Sequence, residues 1–177
     1  MIIASLLEDQ KIEKRISITP EIAKKYIGLG FEVHIVENYG KHLGFENKEY
    51  LDFGVKVISD EKEIIQNADV IIQLGLPNDN IISLLKSNQT IIGVLNPYEN
   101  KDKLKEISKK NVNLFSLELL PRITRAQSMD ILSSQANLAG YKAVIESFAE
   151  FKKAIPMMMT AAGTVPAAKV LVVGAGV

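Results

Sequence analysis

The stretch DVIIQLGLPNDNIISLLKSNQTIIGVL, residues 69–95, contains a complete strand–helix–strand pattern. Val70-Ile71-Ile72 and Thr90-Ile91-Ile92 are continuous apolar runs rather than alternating ones. Such runs favour central strands of a parallel sheet, because those strands are covered on both faces. Residues 78–86 predict the helix that joins them. This pattern predicts an α/β fold.

The same alternation extends through the rest of the chain. Strands are predicted at 2–7, 32–37, 55–58, 69–75, 90–95, 113–118 and 169–173, and helices at 20–29, 47–53, 60–66, 78–86 and 100–110. Pro20 after Thr19 suits a helix start, and Gly30 suits a helix end. The predicted architecture is a flavodoxin- or Rossmann-like parallel sheet with helices on both faces.

The longest predicted helix, at 127–153, follows this sheet. Its apolar face is made mostly of small side chains, at Met129, Leu132, Ala136, Ala139 and Ala143. Pro156, Gly163 and Pro166 end any helix and indicate a joint. We therefore predict an N-terminal α/β domain at 1–126, a linker helix and joint at 127–168, and the first strand of a truncated dinucleotide-binding domain at 169–177.

Composition excludes several classes of function. The chain has 21 Lys and Arg residues and 21 Asp and Glu residues, so its balance of charge gives no footprint for nucleic acid. It has no cysteine and only two histidines, His34 and His42, so we predict no metal site. It has no basic start typical of a signal peptide and no run of about 20 apolar residues, which predicts a cytoplasmic chain that does not itself span the membrane.

Two polar or glycine-rich segments could carry chemistry. The end of the chain, VVGAGV at residues 172–177, is typical of the glycine turn after the first strand of a dinucleotide-binding domain. The third glycine and the acidic ribose ligand of that motif are not in the sequence, so the motif is incomplete. The alternative interpretation of these residues is a β-turn at the end of the chain.

The other segment places Arg122, Gln127 and Asp130 around a helix start. An arginine and a glutamine can hold the carboxamide of a nicotinamide cofactor, and an aspartate can accept hydrogen bonds from its ribose. The alternative is structural: Thr124 and Gln127 have the spacing of a capping box, and Asp130 in a first turn stabilises the helix dipole.

Two stretches carry a resemblance to a known family. PRITRAQSMDILSSQANLAGYKAV (121–144) and PMMMTAAGTVPAAKVLVVGAGV (156–177) resemble the alanine dehydrogenase and pyridine nucleotide transhydrogenase family, and the EKRISITPE opening shares the general likeness. Within the family, the chain is more similar to the NAD(H)-binding alpha subunits of proton-translocating transhydrogenases.

This resemblance implies the function and the site. It implies hydride transfer from NADH to NADP⁺, coupled to proton translocation by separate membrane machinery, in which NADP(H) is held by a partner beta subunit. It implies that Gln127 is the catalytic residue that orients the cofactor and that NAD(H) is held by a set of cofactor-binding residues: Arg122, Ile123, Thr124, Gln127, Asp130, Ser133, Gly174, Gly176 and Val177. The complete subunit would be a homodimer, peripheral to the inner membrane through its membrane proton-channel and beta subunits.

Two alternatives stay open beside this interpretation. Alanine dehydrogenases hold pyruvate with an arginine, a lysine and a histidine. Arg15 fits the arginine, but Leu76 stands before Pro77 where the lysine is expected, and Asn96-Pro97-Tyr98 has no histidine. The other alternative is a stand-alone flavodoxin-like binding module. Because most of the dinucleotide-binding domain is predicted to be missing, we expect the chain alone to be inactive in transhydrogenation.

Overall fold

The computed structural model describes residues 1–174. Contacts within the chain divide it into two compact units, Met1–Leu120 and Pro121–Val177, and each is described by itself. We call them the N-terminal unit and the C-terminal unit. The finer division at 126 and 168 that the sequence suggests stays a prediction.

The N-terminal unit contains a parallel sheet of six strands. They are β1 (Ile2–Ser5), β2 (Glu32–Val36), β3 (Lys56–Ile58), β4 (Val70–Ile72), β5 (Thr90–Gly93) and β6 (Asn113–Ser116). Their order across the sheet is β3-β2-β1-β4-β5-β6. The parallel sheet is therefore confirmed, and its two halves grow outward from the neighbouring strands β1 and β4.

Five helices connect these strands: α1 (Pro20–Gly28), α2 (Asn47–Leu51), α3 (Glu61–Asn67), α4 (Asp79–Leu84) and α5 (Lys101–Lys109). Thr19 caps α1 as expected, because its side chain accepts a hydrogen bond from the backbone N–H of Ile22. Since parallel crossovers are right-handed, reversing the direction of strand addition after β3 puts the later helices on the opposite face. This reversal accounts for the helices on both faces of the sheet that the sequence predicted.

The core of the N-terminal unit lies between the sheet and these helices. Ile71 of β4 and Ile91 of β5 are fully buried, as are Ile35, Ile64 and Ile107. Burying an isoleucine side chain stabilises the folded state by roughly 1.5–3 kcal/mol. The isoleucines of the central strands therefore stabilise the sheet, because folding buries their side chains.

The strands are shorter at their carboxyl ends than the sequence indicates. β1 ends at Ser5 rather than at residue 7, and β4 ends at Ile72 rather than at residue 75. The ladder between them stops at the pair Ala4 and Ile71. Beyond that pair the two strands diverge, and the hydrogen bonds between the two segments join a side chain of one to the backbone of the other.

The C-terminal unit begins with a 3-10 segment, Thr124–Met129, which leads into the long helix α6 (Ile131–Glu150). A hairpin of β7 (Met158–Thr160) and β8 (Gly163–Val165) follows, where the sequence indicated only a joint. All residues of α6 are exposed or half-buried, so its predicted role as a bridge between domains stays a prediction.

The strand predicted at 169–173 is not formed. Residues 166–174 have no strand assignment, and the side chains of Val170, Leu171, Val172 and Val173 are exposed. A strand needs a neighbour to accept and donate its hydrogen bonds, and the two units offer this segment none within residues 1–174. The apolar run is therefore suited to a sheet that the described residues do not contain.

No helix within residues 1–174 is both long and apolar enough to cross a membrane.

Candidate functional site

The predicted cofactor loop lies at the start of α6. The sequence suggested a helix from residue 127 and a capping box at Thr124 and Gln127, and the structure differs on both points. Thr124–Met129 forms a 3-10 segment without a side-chain cap, and α6 begins at Ile131 with Asp130 as its N-cap. Gln127 is therefore not needed to satisfy the backbone of a helix start.

Asp130 is held by the first turn of α6. The backbone N–H of Ser133 donates to Asp130 Oδ1 at 3.0 Å, and the Ser133 hydroxyl donates to Asp130 Oδ2 at 2.6 Å. These two hydrogen bonds, with a smaller contribution from the charge of Arg122, lower the pKa of the Asp130 carboxyl below its ordinary value. Asp130 is thus an anionic acceptor at neutral pH.

Arg122 approaches the same pair from the preceding loop. Its Nη2 donates to Ser133 Oγ at 3.1 Å, and its Nε lies 3.6 Å from Asp130 Oδ2. About two thirds of the Arg122 side chain is exposed. The remaining guanidinium donors are therefore open to a ligand.

These side chains line one cavity of about 300 Å³. Its lining contains Ala126 and all six of the cofactor-binding residues predicted in this loop. Those six are Arg122, Ile123, Thr124, Gln127, Asp130 and Ser133. The Gln127 side chain is exposed and has no hydrogen-bond partner among residues 1–174. The cavity thus presents an amide, a guanidinium and a carboxylate together.

The remaining predicted cofactor-binding residues belong to the glycine turn. Gly174 has a positive φ of 92°, a conformation that favours glycine and suits a tight turn. Gly176 and Val177 lie outside the described residues. That this turn and the cavity at α6 bind the same cofactor stays a prediction.

The N-terminal unit contains a second polar cluster, which the sequence reasoning missed. It lies where β1 and β4 diverge, at the carboxyl edge of the sheet. Ser5 Oγ donates to the Ile72 carbonyl at 2.7 Å, and Gln73 Oε1 accepts from the Leu6 backbone N–H at 3.0 Å. Open α/β sheets bind ligands at this position, between the two strands from which the sheet grows in opposite directions.

Glu8 completes this cluster. Its Oε1 accepts from the backbone N–H groups of Leu74 at 2.6 Å and Gly75 at 3.4 Å. Burial nevertheless raises the pKa of the Glu8 carboxyl above its ordinary value. The available signal was a polar residue at the end of each of two apolar runs: Glu8 directly follows the strand predicted at 2–7, and Gln73 directly follows Val70-Ile71-Ile72.

Arg15, a weaker sequence candidate for binding a carboxylate, is engaged within the chain. Its Nε and Nη2 donate to the two carboxylate oxygens of Glu13 at 2.8 and 2.6 Å. This two-point ion pair raises the pKa of Arg15 and lowers that of Glu13.

Sequence comparison places the chain in a family. The family profile described as alanine dehydrogenase/PNT, N-terminal domain, matches residues 6–139, and that of the C-terminal domain matches residues 143–177. The chain belongs to the alanine dehydrogenase/pyridine nucleotide transhydrogenase family. The resemblance that the sequence motifs suggested is confirmed.

Within this alanine dehydrogenase/transhydrogenase family, the chain is similar to transhydrogenase alpha subunits. It is 45% identical to the first portion of the NAD(P) transhydrogenase alpha subunit of Rickettsia prowazekii, over 100% of this chain and 47% of that protein. It is 41% identical to the protein of the same name from Rhodospirillum rubrum, over 93% of this chain and 44% of that protein. The chain thus spans about half the length of these relatives.

A solved structure supports the family's fold for this chain. The transhydrogenase from Sinorhizobium meliloti superimposes with a TM-score of 0.88 and 41% sequence identity, covering 95% of this chain and 50% of that one. The Rossmann-like fold that the alternating strands and helices predicted is therefore confirmed.

Proposed function

We propose that this chain is the N-terminal portion of the NAD(H)-binding alpha subunit of a proton-translocating NAD(P) transhydrogenase, and that the cavity at the start of α6 holds the nicotinamide end of the cofactor. The observation that carries the proposal is the grouping of Arg122, Gln127, Asp130 and Ser133 around one cavity.

The donor set fits this group. Gln127 has an unengaged amide, which can both donate to and accept from the carboxamide of the cofactor. Arg122 offers guanidinium donors to the carboxamide oxygen, and Asp130 is anionic and can accept from a ribose hydroxyl. When bound, NADH supplies the hydride.

The chain's own residues would act by orientation. Hydride transfer needs no proton from the protein, so Gln127 would hold the nicotinamide ring in a reactive position rather than exchange a proton. Ser133 would fix Asp130 and Arg122, since it binds both. NADP(H) would be held by a beta subunit, and a membrane proton-channel subunit would hold the complex at the cytoplasmic face of the inner membrane.

Alanine dehydrogenase is the less supported member of the family. Leu76 stands where the lysine is expected, and Asn96-Pro97-Tyr98 contains no histidine. Arg15 is already bound at two points by Glu13. The match of residues 143–177 to the family's C-terminal domain also argues against a stand-alone binding module.

Gln127→Ala in the full-length subunit tests the proposal. If Gln127 orients the cofactor, we expect the rate of hydride transfer, followed by stopped flow, to fall about 10²-fold while the Kd for NADH rises only severalfold. Arg125→Ala is the matched control, because Arg125 is in the same 3-10 segment but does not line the cavity. Equal loss of rate and affinity, or an equal effect of Arg125→Ala, would contradict the proposal.

The 177-residue chain alone provides a second test. Because the resemblance implies that most contacts to the ADP half of the cofactor lie in the C-terminal domain, we expect very weak NADH binding and no measurable transhydrogenation. A fluorescence titration that gave micromolar affinity would overturn this expectation.

A further inference from the structure

The C-terminal unit leaves apolar side chains uncovered at the end of α6 and in the segment after the β7–β8 hairpin. Their exposed fractions range from 39% for Phe148 to 90% for Val173. We call them the apolar end surface, and its members are Val144, Ile145, Phe148, Phe151, Val170, Leu171, Val172 and Val173. Soluble proteins rarely expose so many apolar side chains together, so the surface indicates an interaction site.

A groove of about 260 Å³ joins the two parts of this surface. The backbone N–H of Ala168 donates to the carbonyl of Ile155 at 2.9 Å, which ties the start of the exposed segment to the chain just after α6. The groove has apolar lining residues from both sides: Phe148, Phe151, Ile155, Val170 and Leu171. The helix and the segment therefore present one continuous apolar surface to a partner.

Residues 170–173 also present free backbone groups. No backbone hydrogen bond joins them to another part of residues 1–174. Their sequence, Val-Leu-Val-Val, is a continuous apolar run, which is typical of a central strand in a sheet that is covered on both faces. A central strand needs a neighbour along each edge, so this segment is suited to pair with extended chain on both sides.

The family comparison indicates what kind of partner fits. The profile of the family's C-terminal domain matches residues 143–177, and this range includes the whole apolar end surface. More than half of the Rickettsia prowazekii relative has no counterpart in this chain, because the match covers 47% of that protein. A second copy of this chain would offer the segment a strand along one edge only, whereas the rest of a domain can supply strands along both.

We propose that the apolar end surface docks the remaining part of a family C-terminal domain when that part is supplied as a separate polypeptide. Strands of the partner pair along residues 170–173, and its apolar side chains fill the groove at the end of α6. The docking surface depends on the exposed side chains and on the family, and not on the cofactor role of Gln127, so the two proposals can fail separately.

Co-expression tests the docking surface. The 177-residue chain carries an affinity tag, and the partner is the part of the Rickettsia prowazekii relative that lies outside its match to this chain. Co-expression removes the need for the partner to fold by itself. We expect the two polypeptides to purify together as an equimolar complex, with the mass measured by light scattering. If the partner does not purify with the chain, or if the chain instead forms a dimer through this surface, the proposal is wrong.

Val173→Asp tests whether the complex uses this surface. Val173 is exposed and does not line the groove, so the unit should keep its fold. Because docking would bury the new carboxylate without a partner, we expect the yield of complex to fall about tenfold or more. Leu29→Asp, at an exposed apolar position at the end of α1, is the matched control and should leave the yield unchanged. Equal yields from Val173→Asp and the wild type would overturn the proposal. If Val173→Asp is insoluble, Phe148→Asp on the helix side of the groove decides in the same way.

Titration of the purified complex with NADH separates this proposal from the proposed function. NADH binding by the complex, at concentrations where the 177-residue chain alone binds none, would support both. An equimolar complex that does not bind NADH would support the docking surface and contradict the cofactor site at α6.

Discussion

Ser133 binds Asp130 twice, through its backbone N–H at 3.0 Å and through its hydroxyl at 2.6 Å. The first bond caps α6, and the second orients the carboxylate toward the loop that contains Arg122. One serine therefore links a structural role to the proposed cofactor site. The two roles can be separated, because only the second depends on the hydroxyl.

Ser133→Ala removes the hydroxyl and leaves the helix cap in place. Because the Ser133 hydroxyl is the largest cause of the lowered pKa of Asp130, we expect that pKa to rise toward its ordinary value. It should stay below that value, since the backbone bond and the charge of Arg122 remain. The measurement is a titration of the Asp130 carboxyl carbon by nuclear magnetic resonance.

Two variants calibrate this prediction. Arg122→Ala should raise the pKa of Asp130 by less than Ser133→Ala does, because its charge is a smaller cause. Ser134→Ala, at the exposed neighbouring position, should not change it. A Ser133→Ala protein in which Asp130 titrates as in the wild type would show that the hydroxyl bond does not persist in solution.

Tyr39 joins three segments of the N-terminal unit through one buried oxygen. Its hydroxyl accepts from the backbone N–H groups of Ser17 at 3.0 Å and Ile18 at 3.2 Å, and lies 2.7 Å from Ser5 Oγ. Tyr39→Phe leaves these groups without their partner. We expect the free energy of unfolding to fall by about 2 kcal/mol, measured by urea denaturation.

Tyr50→Phe is the matched control for this prediction. Tyr50 is equally buried but its hydroxyl donates a single bond, to the Ile18 carbonyl at 3.0 Å. Its loss should cost about 1 kcal/mol. Equal effects of the two substitutions would mean that the bonds to Ser17 and Ile18 contribute little.

Gly93 permits the close approach of β5 to the end of β4. A Cβ at this position would lie 2.3 Å from the Gln73 carbonyl oxygen, which is backbone and cannot rotate away. We expect Gly93→Ala to lower the free energy of unfolding by at least about 2 kcal/mol. Gly28→Ala, at the end of α1 with open space around it, should instead raise it by about 0.5 kcal/mol. Both effects are measured by urea denaturation, and a neutral Gly93→Ala would indicate that the strands can separate at low cost.

His34 makes stability depend on pH. The residue is 4% exposed, and neither ring nitrogen has a hydrogen-bond partner in the described structure. Burial, with the nearby charge of Lys56, lowers the pKa of His34 below its ordinary value of about 6.5, against the smaller opposing effect of Glu32. The unfolded chain therefore binds a proton more readily than the folded one.

This difference fixes the sign of the effect. Stability should be full above about pH 6.5 and fall as the pH drops below that value, by about 1.4 kcal/mol for each unit separating the folded and unfolded pKa values. His34→Leu should remove this slope, measured as urea denaturation midpoints across the range. His42→Gln, at the exposed second histidine, should retain it. If His34→Leu keeps the wild-type slope, another group is responsible.

Much of the fold follows from local sequence. The continuous runs at Val70-Ile71-Ile72 and Thr90-Ile91-Ile92 sufficed to predict parallel strands. Continuous runs of β-branched residues are typical of strands in a sheet that is covered on both faces. The Thr19-Pro20 helix start was predictable for the same local reason. The segment at 169–173 has the same composition as a buried strand but forms none, because pairing depends on a neighbour that composition does not reveal.

The sites divide in the same way. By itself, the sequence determined which residue types stand in the loop from Arg122 to Ser133, and the family motif drew attention to them. Only the structure decided that Asp130 caps α6 and that Thr124 and Gln127 form no capping box, because Thr124–Met129 is a 3-10 segment and α6 begins at Ile131 rather than at residue 127. Only the sheet brought Glu8 to Leu74 and Gly75, some 66 positions away. Contacts between the ends of neighbouring parallel strands depend on strand order, which no local pattern contains.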